Sequence, residues 1–140
     1  MTLPTRTRPE RWPGAILASG ALLGLLTVAM GALAAHLPDR LLAPDGRDLL
    51  RTAVQMQGWH VPALLACGLL LERRPGTLLR LSSLAFLLGI GCFCSGLYAL
   101  AFLGPAALPA PVLHLAPAGG SILMLGWLLL AIGCARPRAR

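Results

Sequence analysis

The chain has 140 residues, a net charge of +7, 56% hydrophobic residues and only 12% charged ones. Such a composition excludes an ordinary soluble domain and leaves room for one membrane-embedded domain. All twelve basic residues are arginines; they stand in tails and connections without aromatic interleaving, so the membrane explains the charge and nucleic-acid binding is not expected.

In chain order, residues 1–13 read as a flexible basic tail carrying Arg6, Arg8 and Arg11. A first apolar span runs over about 14–37, near the ~20 apolar residues that cross a bilayer. Its basic start and Ala32-Leu33-Ala34 imitate a secretory signal, but the run is longer than a signal core of ~7–15 residues. Gly20 and Gly24, continued by Thr27, Gly31 and Ala34, put small residues on one face, which lets helix backbones approach closely in lipid. His36 closes this span. The connection Pro38 to Arg51 follows, and its Asp48-Leu49-Leu50 is able to start the next helix early.

The second span, about 52–71, places Gln57, His60 and Cys67 on one face, and Pro62 frees the carbonyl of Gly58 beside them. After Arg73, Arg74 and Arg80, the third span covers about 81–103. Its Ser82, Ala85, Gly89, Cys92, Gly96 and Ala99 alternate spacings of three and four, which predicts a close helix crossing at Gly89 and Gly96. A proline-rich, uncharged connection from Gly104 to Pro111 leads to the fourth span, about 113–135, with Gly119, Gly126 and Gly133 at intervals of seven. Pro117 suits a first helical turn and leaves His114 just before it. Residues 136–140 form a second basic tail.

Short connections make consecutive helices antiparallel, so the expected fold is an all-α membrane protein, a four-span up-down-up-down bundle. Nine arginines fall in the tails and second connection, against three in the first connection, beside Asp39, Asp45 and Asp48, and none in the third. The positive-inside bias then puts both termini in the cytoplasm.

No Asp or Glu lies inside a span, which argues against a proton-coupled exporter. The polar candidates are His36, Gln57, His60, Tyr98 and His114, all in the outer half of the expected bundle. Bare imidazole or amide in hydrocarbon is costly, so His60, Gln57 and Tyr98 are expected to form one cluster with His36 or His114 above it. Cys67, Cys92, Cys94 and Cys134 show no disulfide or metal spacing and read as small buried hydrophobes. Phosphate-loop, zinc-protease and hydrolase motifs are absent. No enzymatic activity is expected, and no cofactor is required.

Four motifs stand in order: Gly31-Ala32-Leu33-Ala34-Ala35-His36, Gln57-Gly58-Trp59-His60, Phe93-Cys94-Ser95-Gly96-Leu97-Tyr98, and Pro117-Ala118-Gly119-Gly120 followed by Gly126-Trp127. In this order and spacing the chain, over about residues 15–135, resembles the YgdD-type small membrane proteins, the domain-of-unknown-function 423 family. The family's recurring positions fall here on His36, Gln57, Trp59, His60, Tyr98, Pro117, Gly119 and Gly120. Met56 stands where the family usually has Tyr, Gly58 and Pro62 loosen the second span, and the third motif has its Gly and Ser exchanged. The resemblance implies a multi-pass bacterial inner-membrane protein without an established activity.

The function that follows first is a structural or accessory protein in the lipid bilayer, packed with a larger membrane complex or self-associated. The alternative is a haem-, metal- or quinone-binding protein using His60 with His36 or His114 as ligands, or Tyr98 for a quinone. A carrier for a small neutral solute fits least, because glycine-packed helices leave little room for a pore.

Overall fold

A computed structural model describes residues 11–135. The tail residues 1–10 and 136–140, with Arg6, Arg8, Arg136, Arg138 and Arg140, lie outside the described residues. Helix α1 spans Arg11–His36, α2 Gly46–Arg73, α3 Thr77–Leu103, α4 the single turn Ala110–Leu113, and α5 Leu115–Ala135. One 3₁₀ turn, Asp39–Leu41, lies between α1 and α2, and another, Pro105–Ala107, between α3 and α4. The four long helices are each long and apolar enough to cross a membrane, and there is no strand among the described residues.

The helices outrun the apolar spans at several ends, because hydropathy marks lipid contact whereas helix ends follow backbone and packing. α1 begins at Arg11, not 14. α2 begins at Gly46, six residues before the expected 52. Asp45 supplies the entry bend with φ 60°, Asp48 lies in the first turn where the helix dipole favours a carboxylate, and Leu50 is fully buried. At the other end of the molecule α3 starts at Thr77, since Leu79 is already buried against the core. α2 continues as one α-helix through Pro62, whose ring is exposed.

The antiparallel order is visible in the glycine contacts. A side-chain carbon added at Gly20 would touch Leu65, at Gly24 Val61 and at Gly31 Val54, so residue numbers on α2 fall as those on α1 rise. The same holds between α3 and α5, where Gly89 faces Leu123, Gly96 faces Ala116, Phe93 faces Gly119 and Phe86 faces Gly126. The first small-residue stripe is therefore filled by α2, the third by α5 and the fourth by α3. Packing follows chain order, α1 on α2, α2 on α3 and α3 on α5. The central helices α2 and α3 carry most of the core, while α1 and α5 are the flanks. This order brings the start of α1, the α2–α3 connection and the end of α5 to one end of the bundle, the terminal end. The 38–45 and 104–114 connections form the far end.

Candidate functional site

A line of polar side chains crosses the middle of the bundle. Gln57, 1% exposed, faces both neighbours of α2: its Nε2 donates to the carbonyl of Leu23 on α1 at 2.9 Å, and its Oε1 accepts from the Tyr98 hydroxyl on α3 at 2.9 Å. The Leu23 carbonyl also accepts from Thr27 Oγ1, one turn on in α1, at 2.8 Å. A glutamine suits this position because it carries both a donor and an acceptor on one long arm, whereas the carbonyl only accepts.

His60 lies one turn along α2 but takes a different course. Its Nδ1 is 2.6 Å from the carbonyl of Met56 in its own helix. A carbonyl has no proton to give, so Nδ1 is the donor in this bond. The ring packs beside Phe86 of α3 and Trp127 of α5, each at 6.0 Å between centroids, and those two rings meet edge to face at 5.3 Å. Among the described residues His60 makes no hydrogen bond to Gln57 or Tyr98, so Gln57 and Tyr98 are joined and His60 stands in an aromatic nest beside them. His36, the last residue of α1, and His114, between α4 and α5, are exposed at the far end and do not close over the pair.

Three further buried groups tie helices together. Ser82 Oγ on α3 donates to the carbonyl of Gly126 on α5 at 2.8 Å and lies 3.6 Å from Cys67 Sγ on α2. Cys94 Sγ on α3 donates to the carbonyl of Ala53 on α2 at 3.5 Å. Two of the cysteines read as plain hydrophobes thus also bridge helices; Cys92 is half-buried and Cys134 exposed, and all four are free thiols. Among the described residues no three His, Cys, Asp or Glu side chains converge as a metal site would require.

The far end is fastened by a residue that sequence reasoning passed over. Arg47, in the first turn of α2, reaches back to the open C-terminus of α1. It donates to the carbonyls of Ala34 at 2.6 Å and Leu37 at 2.5 Å while its fork holds the Asp39 carboxylate. The guanidinium thereby satisfies orphan carbonyls at the negative end of a helix dipole. The same connection is pinned to α3, where the Ala43 amide donates to the Ala101 carbonyl at 2.9 Å, and Gly46 packs so closely that a side-chain carbon there would meet that oxygen.

The family model described as "Protein of unknown function (DUF423)" matches residues 30–120. The chain belongs to the DUF423 family. A "UPF0382 membrane protein" of Haemophilus influenzae is 35% identical over 113 residues, 81% of this chain and 87% of that protein. The "UPF0382 inner membrane protein YgdD" of Escherichia coli K12 is 31% identical over 121 residues, covering 86% of this chain and 89% of its own length. A UPF0382 membrane protein of Staphylococcus saprophyticus is 31% identical over 116 residues, 81% and 91% of the two chains. No solved structure gives a significant match. With four crossing helices and relatives so named, this DUF423 chain is an integral membrane protein. The matched stretch contains all of α2 and α3, and with them Gln57, His60, Tyr98 and the glycine at which α5 meets Phe93.

Proposed function

We propose that this DUF423 chain is a structural, non-enzymatic protein of the bacterial inner membrane that packs with a larger membrane complex, its termini in the cytoplasm. The observation that carries the reading is the use made of the buried polar side chains. Gln57, Ser82 and Cys94 each donate to a backbone carbonyl of a neighbouring helix, and the His60 ring is held on its own helix. Such bonds fix helices in register. They set no nucleophile beside a base and no two carboxylates across a cleft, which is the geometry catalysis asks for.

The flanking helices leave faces that lipid or a partner helix would cover. α1 presents Leu22, Leu25 and Val28, and α5 presents Met124, Leu125 and Leu128, on faces that the chain itself leaves uncovered. The name of the Escherichia coli relative supports the inner membrane as the location. A ligand site on His60, His36 and His114 has less support, since one ring is inside the bundle and two are exposed at its far end.

Purification of the full chain in mild detergent should yield a second membrane protein in stoichiometric amount, with no stoichiometric metal and no visible absorbance band. A chain recovered alone as a monomer, or a haem or metal signal that disappears in His60→Gln while the fold survives, would replace this reading.

The orientation rests on the nine-to-three arginine count. A reporter active only in the cytoplasm should work when fused after Arg140 and fail when inserted between Asp39 and Asp45. The opposite pattern reverses the orientation.

A further inference from the structure

At the terminal end, α1 and α3 run parallel, and their first turns enclose an open groove of about 480 Å³, lined by Arg11, Trp12, Thr77, Arg80, Leu81 and Leu84. We propose that this groove is a binding site for an anionic phospholipid, with the phosphate between Arg11 and Arg80 and an acyl chain along Leu81 and Leu84.

Position is the first argument. Arg11 stands just before the apolar run that begins near Gly14, and Arg80 just before the one that begins at Leu81. Both guanidinium groups therefore sit at headgroup level, and the long stems of the arginines can lie along the apolar wall. Leu81 and Leu84 are 45% and 37% exposed and continue the groove toward the hydrocarbon. A soluble anion has no use for that wall; a lipid has.

Charge is the second. At the far end three arginines, Arg40, Arg47 and Arg51, stand among three aspartates, Asp39, Asp45 and Asp48. At the terminal end the described residues supply Arg11, Arg73, Arg74 and Arg80 against one carboxylate, Glu72. The surplus is positive where an anionic membrane surface would meet it.

Local chemistry is the third. α1 and α3 both start at this groove with no acidic residue in the first turn, and Gly76 at the start of α3 gives no side-chain cap. The positive ends of two helix dipoles then point the same way beside the Thr77 hydroxyl. The indole N–H of Trp12, buried in the groove wall, has no acceptor among the described residues. An unmet buried donor is costly, and a phosphate beside it lowers that cost. A fit of this kind, basic side chains above and apolar ones below between two membrane helices, recognises a phosphodiester headgroup with its tails attached.

Trp12 makes the site measurable. The chain has three tryptophans, so the full-length Trp59→Phe/Trp127→Phe protein leaves Trp12 as the reporter. It is reconstituted into phosphatidylcholine vesicles holding a small, equal fraction of brominated phosphatidylglycerol or brominated phosphatidylcholine. Quenching of Trp12 should show a preference for the anionic lipid, to which each groove arginine contributes roughly fivefold. The preference should vanish in Arg11→Gln/Arg80→Gln and persist in Arg73→Gln/Arg74→Gln, which removes the same charge outside the groove. Equal quenching by the two lipids overturns the proposal, a result that needs no further variant to fold. Equal loss in both arginine pairs overturns it in favour of diffuse surface attraction. Displacement of the brominated lipid by millimolar inorganic phosphate overturns it in favour of a soluble anion.

Discussion

Replacing Gly119 with alanine should destabilise the protein by about 1–3 kcal/mol, the usual cost of overpacking, and replacing it with leucine should prevent the bundle from assembling. The reason is the neighbour: a side-chain carbon at Gly119 would fall at 2.4 Å from the backbone nitrogen of Phe93 and 2.8 Å from its Cα. A side chain can rotate away, but a helix backbone can yield only by moving the helix. The crossing of α3 and α5 would have to widen along its length, taking with it Gly96, which fits against the Ala116 nitrogen, Gly89 against Leu123, and the Ser82 bond to the Gly126 carbonyl. In lipid the loss is not offset by hydrophobic burial, because Leu gains nothing by leaving apolar tails. Gly91 is the internal control. It is on α3 as well but has nothing within reach, so Gly91→Ala should be neutral or slightly stabilising through its better helix propensity. Gly89→Leu and Gly96→Leu should fall between these extremes, and Leu88→Ala, on an exposed face, should cost little. Unfolding of the purified proteins in mixed detergent micelles ranks them. Equal tolerance at Gly119 and Gly91 would mean that α5 does not meet α3 in this register.

The spans and their alternation are legible because lipid imposes them. Every backbone polar group must be paired within the helix, and about twenty apolar residues must follow one another, so composition alone reveals the four crossings. The stripes of small residues are legible for a related reason, since close approach is the main means by which helices attract in lipid. What the stripes do not reveal is which one meets which. The first is filled by Leu65, Val61 and Val54 of α2, the third by Leu123 and Ala116 of α5 and the fourth by Phe93 and Phe86 of α3, a choice made by shape across the whole bundle.

The pairing of Gln57 with Tyr98 follows from depth, because few polar groups are available there. The same logic does not reach His60, since an imidazole can donate to a carbonyl one turn back in its own helix and present its faces to aromatic rings, needing no partner from a neighbouring polar chain. Arg47 is invisible for a different reason. Its acceptors lie 10 and 13 residues earlier, a relation created only when the 38–45 connection folds. Hydropathy likewise does not mark the start of α2, because the turn from Gly46 to Arg51 is helical without being lipid-facing throughout; the early start that Asp48-Leu49-Leu50 allows is the better guide.

The Gln57–Tyr98 bond offers a test in which the order of effects, more than their size, identifies the contact. Tyr98→Phe removes the hydroxyl and leaves Gln57 Oε1 without its partner in a position 1% exposed. The expected loss is about 0.6–1.7 kcal/mol, from the average to the maximum found for hydrogen bonds between membrane helices. Gln57→Leu is less damaging to its other partner, since the Leu23 carbonyl still accepts from Thr27 Oγ1; what it strands is the Tyr98 hydroxyl. Each single change therefore leaves one buried polar group unmet, whereas the double variant Gln57→Leu/Tyr98→Phe leaves none between the two residues. Replacing both partners of a buried hydrogen bond by apolar groups of similar shape can be nearly neutral, while replacing one carries the desolvation cost of the other. The double variant should thus be more stable than the sum of the single losses predicts, and closer to the starting protein than Tyr98→Phe alone. The cycle is read from unfolding free energies in the same micelles used for the glycine series. Additive losses would show that the two side chains do not meet, and a double variant that folds well but no longer co-purifies with a partner protein would place the pair at the partner's contact as well as in the core.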